Sequence, residues 1–212
     1  MTDLNKYQAA LAAFVSREAK NYSARNVEKA NVTIARLSDA RCVELLEAAN
    51  VDANVFNADL YLSNYMQRFV RYTFSLDVRS DFYEVTDAAF RTAMLCYKNN
   101  EDLRKSDIEA SIRSDVAYDE ERAHLIFRKR ALISEKRQSD AAMNLLVKLN
   151  IAKLKSANVY EVNKNAIADA MIAALKLDMT VAADEEIDAL DSVDEIEAIE
   201  QTAIVDSENV SA

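Results

Sequence analysis

Few residues in this 212-residue chain have the types and spacing that covalent or metal chemistry requires. His124 is the single histidine. With Glu121 it makes one E-x-x-H, half of a di-iron carboxylate pattern whose other half would be a second E-x-x-H on a facing helix. The same shortage excludes a zinc site built from several histidines. Cys42 and Cys96 lie in apolar helical runs without an electropositive setting, so neither reads as an activated thiolate. They form no CxxC pair and read as buried thiols of a reducing, cytoplasmic compartment. Glycine, proline and tryptophan are absent altogether, where average usage would supply about 15 Gly and about 10 Pro. Without glycine there is no phosphate loop or dinucleotide fingerprint, no EF-hand turn and no G-x-S-x-G nucleophile elbow. The expectation is a protein that recognises rather than catalyses, with no cofactor and no metal.

Charge indicates what it could recognise. Residues 178–212 carry no Lys or Arg and a dense series of Asp and Glu, which accounts for the net charge of −10. Residues 122–164 hold ten bases against three acids (Glu135, Asp140 and Glu161), a local net of +7. Such a segment suits a polyanion despite the acidic total. The clustered carboxylates of the tail have no dry pocket in which to do acid–base work. They suit a basic protein partner, or competition with nucleic acid for the chain's own basic segment. Ile187, Leu190, Val193, Ile196 and Ile199 recur every three residues there. That spacing fits a frayed amphipathic helix, or a disordered segment that folds on a partner.

Within the basic segment, residues 137–163 read RQSDAAMNLLVKLNIAKLKSANVYEVN. As a helix over 138–149, this puts Ala142, Leu145, Leu146 and Leu149 inward. Arg137, Ala141, Asn144 and Lys148 then line the opposite face at i, i+4, i+7 and i+11. A small residue, an amide and cations make a face suited to a major groove. Asn150 can end the helix. Ile151 to Lys155 follow with Ile151 and Leu154 apolar and Lys153 and Lys155 outward. Ser156-Ala157-Asn158 can turn, with Asn158 at positive φ, and Val159 to Val162 return as a second strand.

This stretch resembles the recognition helix and wing of the winged-helix DNA-binding superfamily. The likeness is carried by QSDAAMNLLVKLN, IAKLK and NVYEVN. The resemblance implies that Arg137, Ser139, Asn144 and Lys148 face duplex DNA and that Lys153 and Lys155 touch phosphates. Helices at 86–98 and 106–114 would be the two that precede the recognition helix. Arg128, Lys129, Arg130 and Lys136 add charge upstream. One departure stands out. Residues 115–137 intervene where the family has a short turn. Either a basic helix is inserted there, or 119–149 is one long helix that belongs to a bundle.

The elements that would position this segment are helical. Leu4, Tyr7, Leu11, Phe14 and Val15 mark one helix over 3–20, and Val27, Ala30, Ile34 and Leu37 a second. A third is capped by Ser38 or Asp39 and runs to about Asn50, and a fourth spans about 54–74. Further on, Thr86 or Asp87 can cap a helix ending at Asn99-Asn100. Ser106 and Glu109 form an S-x-x-E capping box, and Asp119 can cap a helix over 119–134. A last helix lies near 165–177. Asn50, Asn99-Asn100 and Asn150 stand where helices should stop, as substitutes for glycine. Tyr61, Tyr65, Phe69 and Tyr72 recur at helical spacing among Arg68, Arg71 and Arg79. Such a row can be core, or a surface that stacks on single strands. No stretch is apolar enough to cross a membrane, and the N-terminus, with its early acid, does not read as a secretory signal.

The expected fold is mainly α. Residues 1–80 form an N-terminal helical unit suited to self-association, 81–177 a winged-helix-like unit with one small β-hairpin, and 178–212 an acidic tail, flexible or partly helical. The expected function is non-enzymatic DNA binding, as a regulatory, replication or packaging accessory, with the tail tuning it. Two other functions are open. One is an all-helical scaffold or assembly protein, of viral kind, whose tail docks a basic partner. The other is an acidic inhibitor imitating nucleic acid, which the confinement of the acids to a tail weighs against.

Overall fold

A computed structural model describes residues 4–74, 82–113, 116–117, 119–127 and 136–180, with the backbone alone for 82–84 and 136–137. Side-chain oxygens decide where the helices begin. The Asn5 side chain accepts from the backbone N–H groups of Tyr7 and Gln8 and opens α1 (Lys6–Glu18). Ser23 opens α2 (Ala24–Arg36) and Asp39 opens α3 (Ala40–Ala48). The expected fourth helix over 54–74 is split. Ala53–Asn57 is a 3-10 turn, and α4 spans Leu60–Tyr72. The break belongs to Asp59, whose carboxylate accepts from Tyr61 and Leu62 and holds its own backbone extended; a first turn left without these acceptors would have unsatisfied donors.

Three further expectations about helix starts are corrected. α5 (Phe82–Lys98) begins before Thr86 and Asp87, so neither caps it; Asp87 instead pairs with Arg91 one turn on, at 2.8 Å. α6 (Lys105–Ile112) starts before Ser106, which is therefore not its cap. The backbone N–H of Arg104 donates to Asp107 at 2.8 Å, so Asp107 takes the reciprocal place expected of Glu109. Asp119 does cap the element after it, but that element is a 3-10 turn over Glu120–Leu125 that gives way at Ile126 to extended backbone. Hence no continuous helix spans 119–149. Leu132 and Ile133 of the expected 119–134 helix lie outside the described residues. The next helix, α7, spans Lys136–Lys148, and α8 spans Ala166–Leu175 under an Asn165 cap.

Asparagine does replace glycine. Asn50, Asn100, Asn150 and Asn158 have φ of 52°, 54°, 57° and 60°, the left-handed region, and Lys176 joins them at 51°. Asparagine tolerates this region better than other residues bearing a Cβ. At three helix ends the next residue's N–H closes the same loop: Val51 to the Leu46 carbonyl at 2.9 Å, Glu101 to Cys96 at 2.9 Å and Ile151 to Leu146 at 2.9 Å. These are Schellman closures, which satisfy carbonyls a helix end leaves bare. Asn150 does more. Its side-chain Nδ2 donates to the Ala49 and Asn50 carbonyls at 3.0 and 2.8 Å, so the end of α7 is bolted to the end of α3.

Strands β1 (Leu103–Arg104), β2 (Ala152–Ser156) and β3 (Val159–Val162) form an antiparallel sheet ordered β1-β3-β2. The expected hairpin therefore gains a third strand. β2 bulges between Leu154 and Ser156. The division expected between residues 80 and 81 is not a division of the core, and residues 1–180 make one compact unit. One buried cluster runs from Tyr7 to Met171. Phe69 of α4 meets Phe90 of α5 edge-on, their rings 5.8 Å apart, and burial of each such ring stabilises by about 2–3 kcal/mol. Among the described residues no helix is long and apolar enough to cross a membrane.

If Asn150 holds both a left-handed turn and the α3–α7 junction, Asn150→Ala destabilises by about 2 kcal/mol, from turn strain and lost donors together. Asn158→Gly stays within about 0.5 kcal/mol of the parent, since glycine accepts the same φ. Urea midpoints of the two variants test this.

Candidate nucleic-acid interface

α7 buries Ala142, Met143, Leu145, Leu146 and Leu149 and turns Asn144 and Lys148 to solvent, with Ala141 half-buried between. The expected inward and outward faces are thus distinguished, with one correction. Ser139 is 1% exposed and does not belong to the outer face. It precedes Ala142, Leu146 and Leu149 by three, seven and ten positions, which puts it on the buried stripe. Asp140 is half-buried and receives Lys105 Nζ of α6 at 2.7 Å, a link that raises the lysine's pKa through that hydrogen bond. The side chains of Lys136 and Arg137, and all of Arg128, Lys129 and Arg130, lie outside the described residues.

The hairpin brings two more of the expected cations to the surface. Lys153 and Lys155 are exposed. Lys155 Nζ is engaged with Asp102, just before β1, at 2.7 Å. Its pKa is raised by that hydrogen bond. Leu154 was expected inward with Ile151. Ile151 is fully buried, yet Leu154 is 60% exposed. Leu154 pairs with Tyr160, and Tyr160 in turn with Leu103 of β1, so these three share the inner face of the sheet. β2 is an edge strand, and Leu154 on it is exposed. The hairpin turn is anchored, because the Asn158 carbonyl accepts from the Lys105 backbone N–H at 2.9 Å.

Sequence reasoning missed the group that organises this region. Arg122 counts among the ten bases of the +7 segment, but its side chain is buried. Nε and Nη2 donate to both carboxylate oxygens of Asp107 at 3.0 and 2.7 Å. Nη1 reaches Glu101 at 2.8 Å, and Nη2 also reaches the Asp102 carbonyl at 2.8 Å. The Asp107 hydrogen bonds push the guanidinium pKa above its ordinary value. The signal available in the sequence was only an arginine among Ala123, Leu125 and Ile126; its partners lie 15 to 21 positions upstream. Arg122 is thus withdrawn from the charge offered to a polyanion. Lys164, paired with Asp169 at 2.9 Å, is likewise engaged. Lys148 and Lys153 have no carboxylate partner among the described residues.

His124 is exposed on the 3-10 turn, its Nε2 3.3 Å from Glu101. No group of three or more metal-ligating side chains occurs among the described residues. Burial pushes both cysteine thiols up to about 12, so they stay protonated at neutral pH. The sign follows from the ordinary value of 9.0: the folded state prefers the neutral thiol, so this contribution is intact below pH 9 and is lost as pH rises toward 12. Two outcomes are expected. Arg122→Met, which strands Asp107 without its guanidinium, costs about 3 kcal/mol in urea unfolding. Cys42 and Cys96 resist a thiol-specific reagent at neutral pH in the folded chain and react once denaturant is added. Compared with protein-family models, curated proteins and solved structures, the chain matches none.

Proposed function

We propose that this chain is a non-enzymatic DNA-binding protein that lays the outer face of α7 in the major groove and sets its β2–β3 hairpin on the backbone beside it. The observation that supports this reading is the path of residues 136–162. A helix stops at Asn150 and a two-stranded hairpin follows at once. Asn144, Lys148 and Lys153 are turned to solvent along that path. The order helix, strand, helix, 3-10 turn, helix, strand, strand from α5 to β3, with the sheet ordered β1-β3-β2, supports the winged-helix resemblance apart from the 3-10 turn at Glu120–Leu125. A continuous helix over 119–149 would have favoured the scaffold alternative, and the backbone at Ile126 is extended.

In this reading Lys148 and Lys153 neutralise phosphates, and Asn144 can give a bidentate contact to an adenine edge. Lys155 joins them by exchanging Asp102 for a phosphate. The acidic residues beyond Thr180 oppose a polyanion electrostatically and so lower its affinity.

Duplex binding measured at two salt concentrations tests the proposal. Affinity should fall steeply with salt, with a log–log slope of about −0.9 per phosphate neutralised. The double variant Lys148→Ala/Lys153→Ala should weaken all duplexes alike and reduce the slope by about 2. Asn144→Ala should instead cost about 1–3 kcal/mol at particular sequences only. Removal of residues 181–212 should raise affinity. Absence of duplex binding at low salt, with and without those residues, would overturn the reading.

A further inference from the structure

The outward face of α2 carries a second set of cations that the duplex reading leaves unused. Arg25, Lys29, Val32 and Arg36 fall at i, i+4, i+7 and i+11 and are all exposed. That is one stripe about 16 Å long. No acceptor engages the three cations among the described residues, in contrast to Lys6, Arg91, Lys105 and Lys155, each of which has a carboxylate. The opposite side of the helix is fixed in the protein. Ala30 is buried, and buried Thr33 bonds to Asn64 of α4 at 3.3 Å. The stripe is therefore presented in one orientation.

Beside it stands an aromatic ring held in place while exposed. Tyr61, at the start of α4, is 51% exposed. Its hydroxyl accepts from Asn26 Nδ2 of α2 at 2.9 Å, and its ring meets Tyr22 edge-on, centroids 6.5 Å apart. An exposed ring whose position is already fixed loses little freedom when something stacks on it. A closed duplex offers no base face to such a ring, whereas a single strand offers one at each unpaired nucleotide. The stripe's apolar content is Val32 alone. That is too little for an acidic helix to dock by hydrophobic burial, which needs a cluster of anchors.

We propose that the α2–α4 face is a binding surface for single-stranded nucleic acid, with Arg25, Lys29 and Arg36 following the backbone and Tyr61 stacking on a base. This surface is separate from the α7 face and does not depend on duplex binding there.

The test uses the full 212-residue chain and a fluorescently labelled oligothymidylate of roughly 20 nucleotides, ample for the span of the stripe, followed by fluorescence anisotropy. An oligouridylate of equal length separates RNA from DNA as the source of the strand, and binding of either supports the proposal. Arg25→Ala/Lys29→Ala/Arg36→Ala should lower affinity at least tenfold and flatten the salt dependence. Tyr61→Leu should lower it roughly tenfold, and Tyr61→Phe, which keeps the ring but not its bond to Asn26, should recover most of that loss. Lys148→Ala/Lys153→Ala should leave it unchanged, so a failure of the duplex reading registers separately. Circular dichroism establishes that each variant is folded. The proposal is overturned if neither oligonucleotide binds at low salt, if binding is indifferent to the α2 triple variant and to Tyr61→Leu, or if the face takes an acidic helical peptide and no oligonucleotide.

Discussion

A buried guanidinium on a buried carboxylate organises the part of the molecule that carries the proposed duplex contact. Taking two charges out of water is expensive, and mutual attraction offsets that cost only where the remaining donors are also satisfied. Arg122 meets the condition, with bonds to Asp107, Glu101 and the Asp102 carbonyl. Asp107 in turn takes the Arg104 N–H at the start of α6. One side chain therefore ties the 3-10 turn at 120–125, the 101–102 loop and the first turn of α6 to one another. The neighbouring links, Lys105 to Asp140 and the Asn158 carbonyl to the Lys105 N–H, join α6 to α7 and to the hairpin turn. α7 and its hairpin are thus fixed with respect to α6 by polar bonds as well as by packing.

Much of this fold was legible in residue types whose effects are local. Asn50, Asn100, Asn150 and Asn158 announced left-handed turns because the chain has no glycine to supply them. Asp39 and Asp119 announced cap positions because a short polar side chain reaches its own backbone. The inner face of α7 followed from its apolar period. Ser139 was misread because a hydroxyl on a buried stripe looks polar in a sequence and gives no sign of being enclosed. β1 went unseen because two residues have no period. Asp59 was passed over because the apolar pattern continues across it, although the cap chemistry is visible in hindsight. The joining of the two halves into one core depends on contacts such as Phe69 with Phe90, which no local pattern encodes.

The distribution of charge has the same character. A count of +7 over 122–164 treats every cation as available. Among the described cations of that segment Arg122 is buried and Lys155 and Lys164 are paired, which leaves Lys148 and Lys153 without a carboxylate. On α2, by contrast, three cations that drew no notice in the sequence remain without acceptors among the described residues. Composition ranks segments by charge; only the fold separates charge spent within the protein from charge left for a partner.

The Asn150 amide bridges two helix ends by donating both of its hydrogens to carbonyl oxygens. That arrangement makes its chemical identity as an amide matter more than its shape. Hydrolysis of the side chain to a carboxylate, the slow ageing reaction of asparagine, would alter its outline hardly at all. It would replace the donor with an anionic oxygen facing the Ala49 and Asn50 carbonyls. Attraction would become repulsion at a point where the end of α3 is bolted to the end of α7, so the shelf life of the folded chain is written in part in a single nitrogen atom.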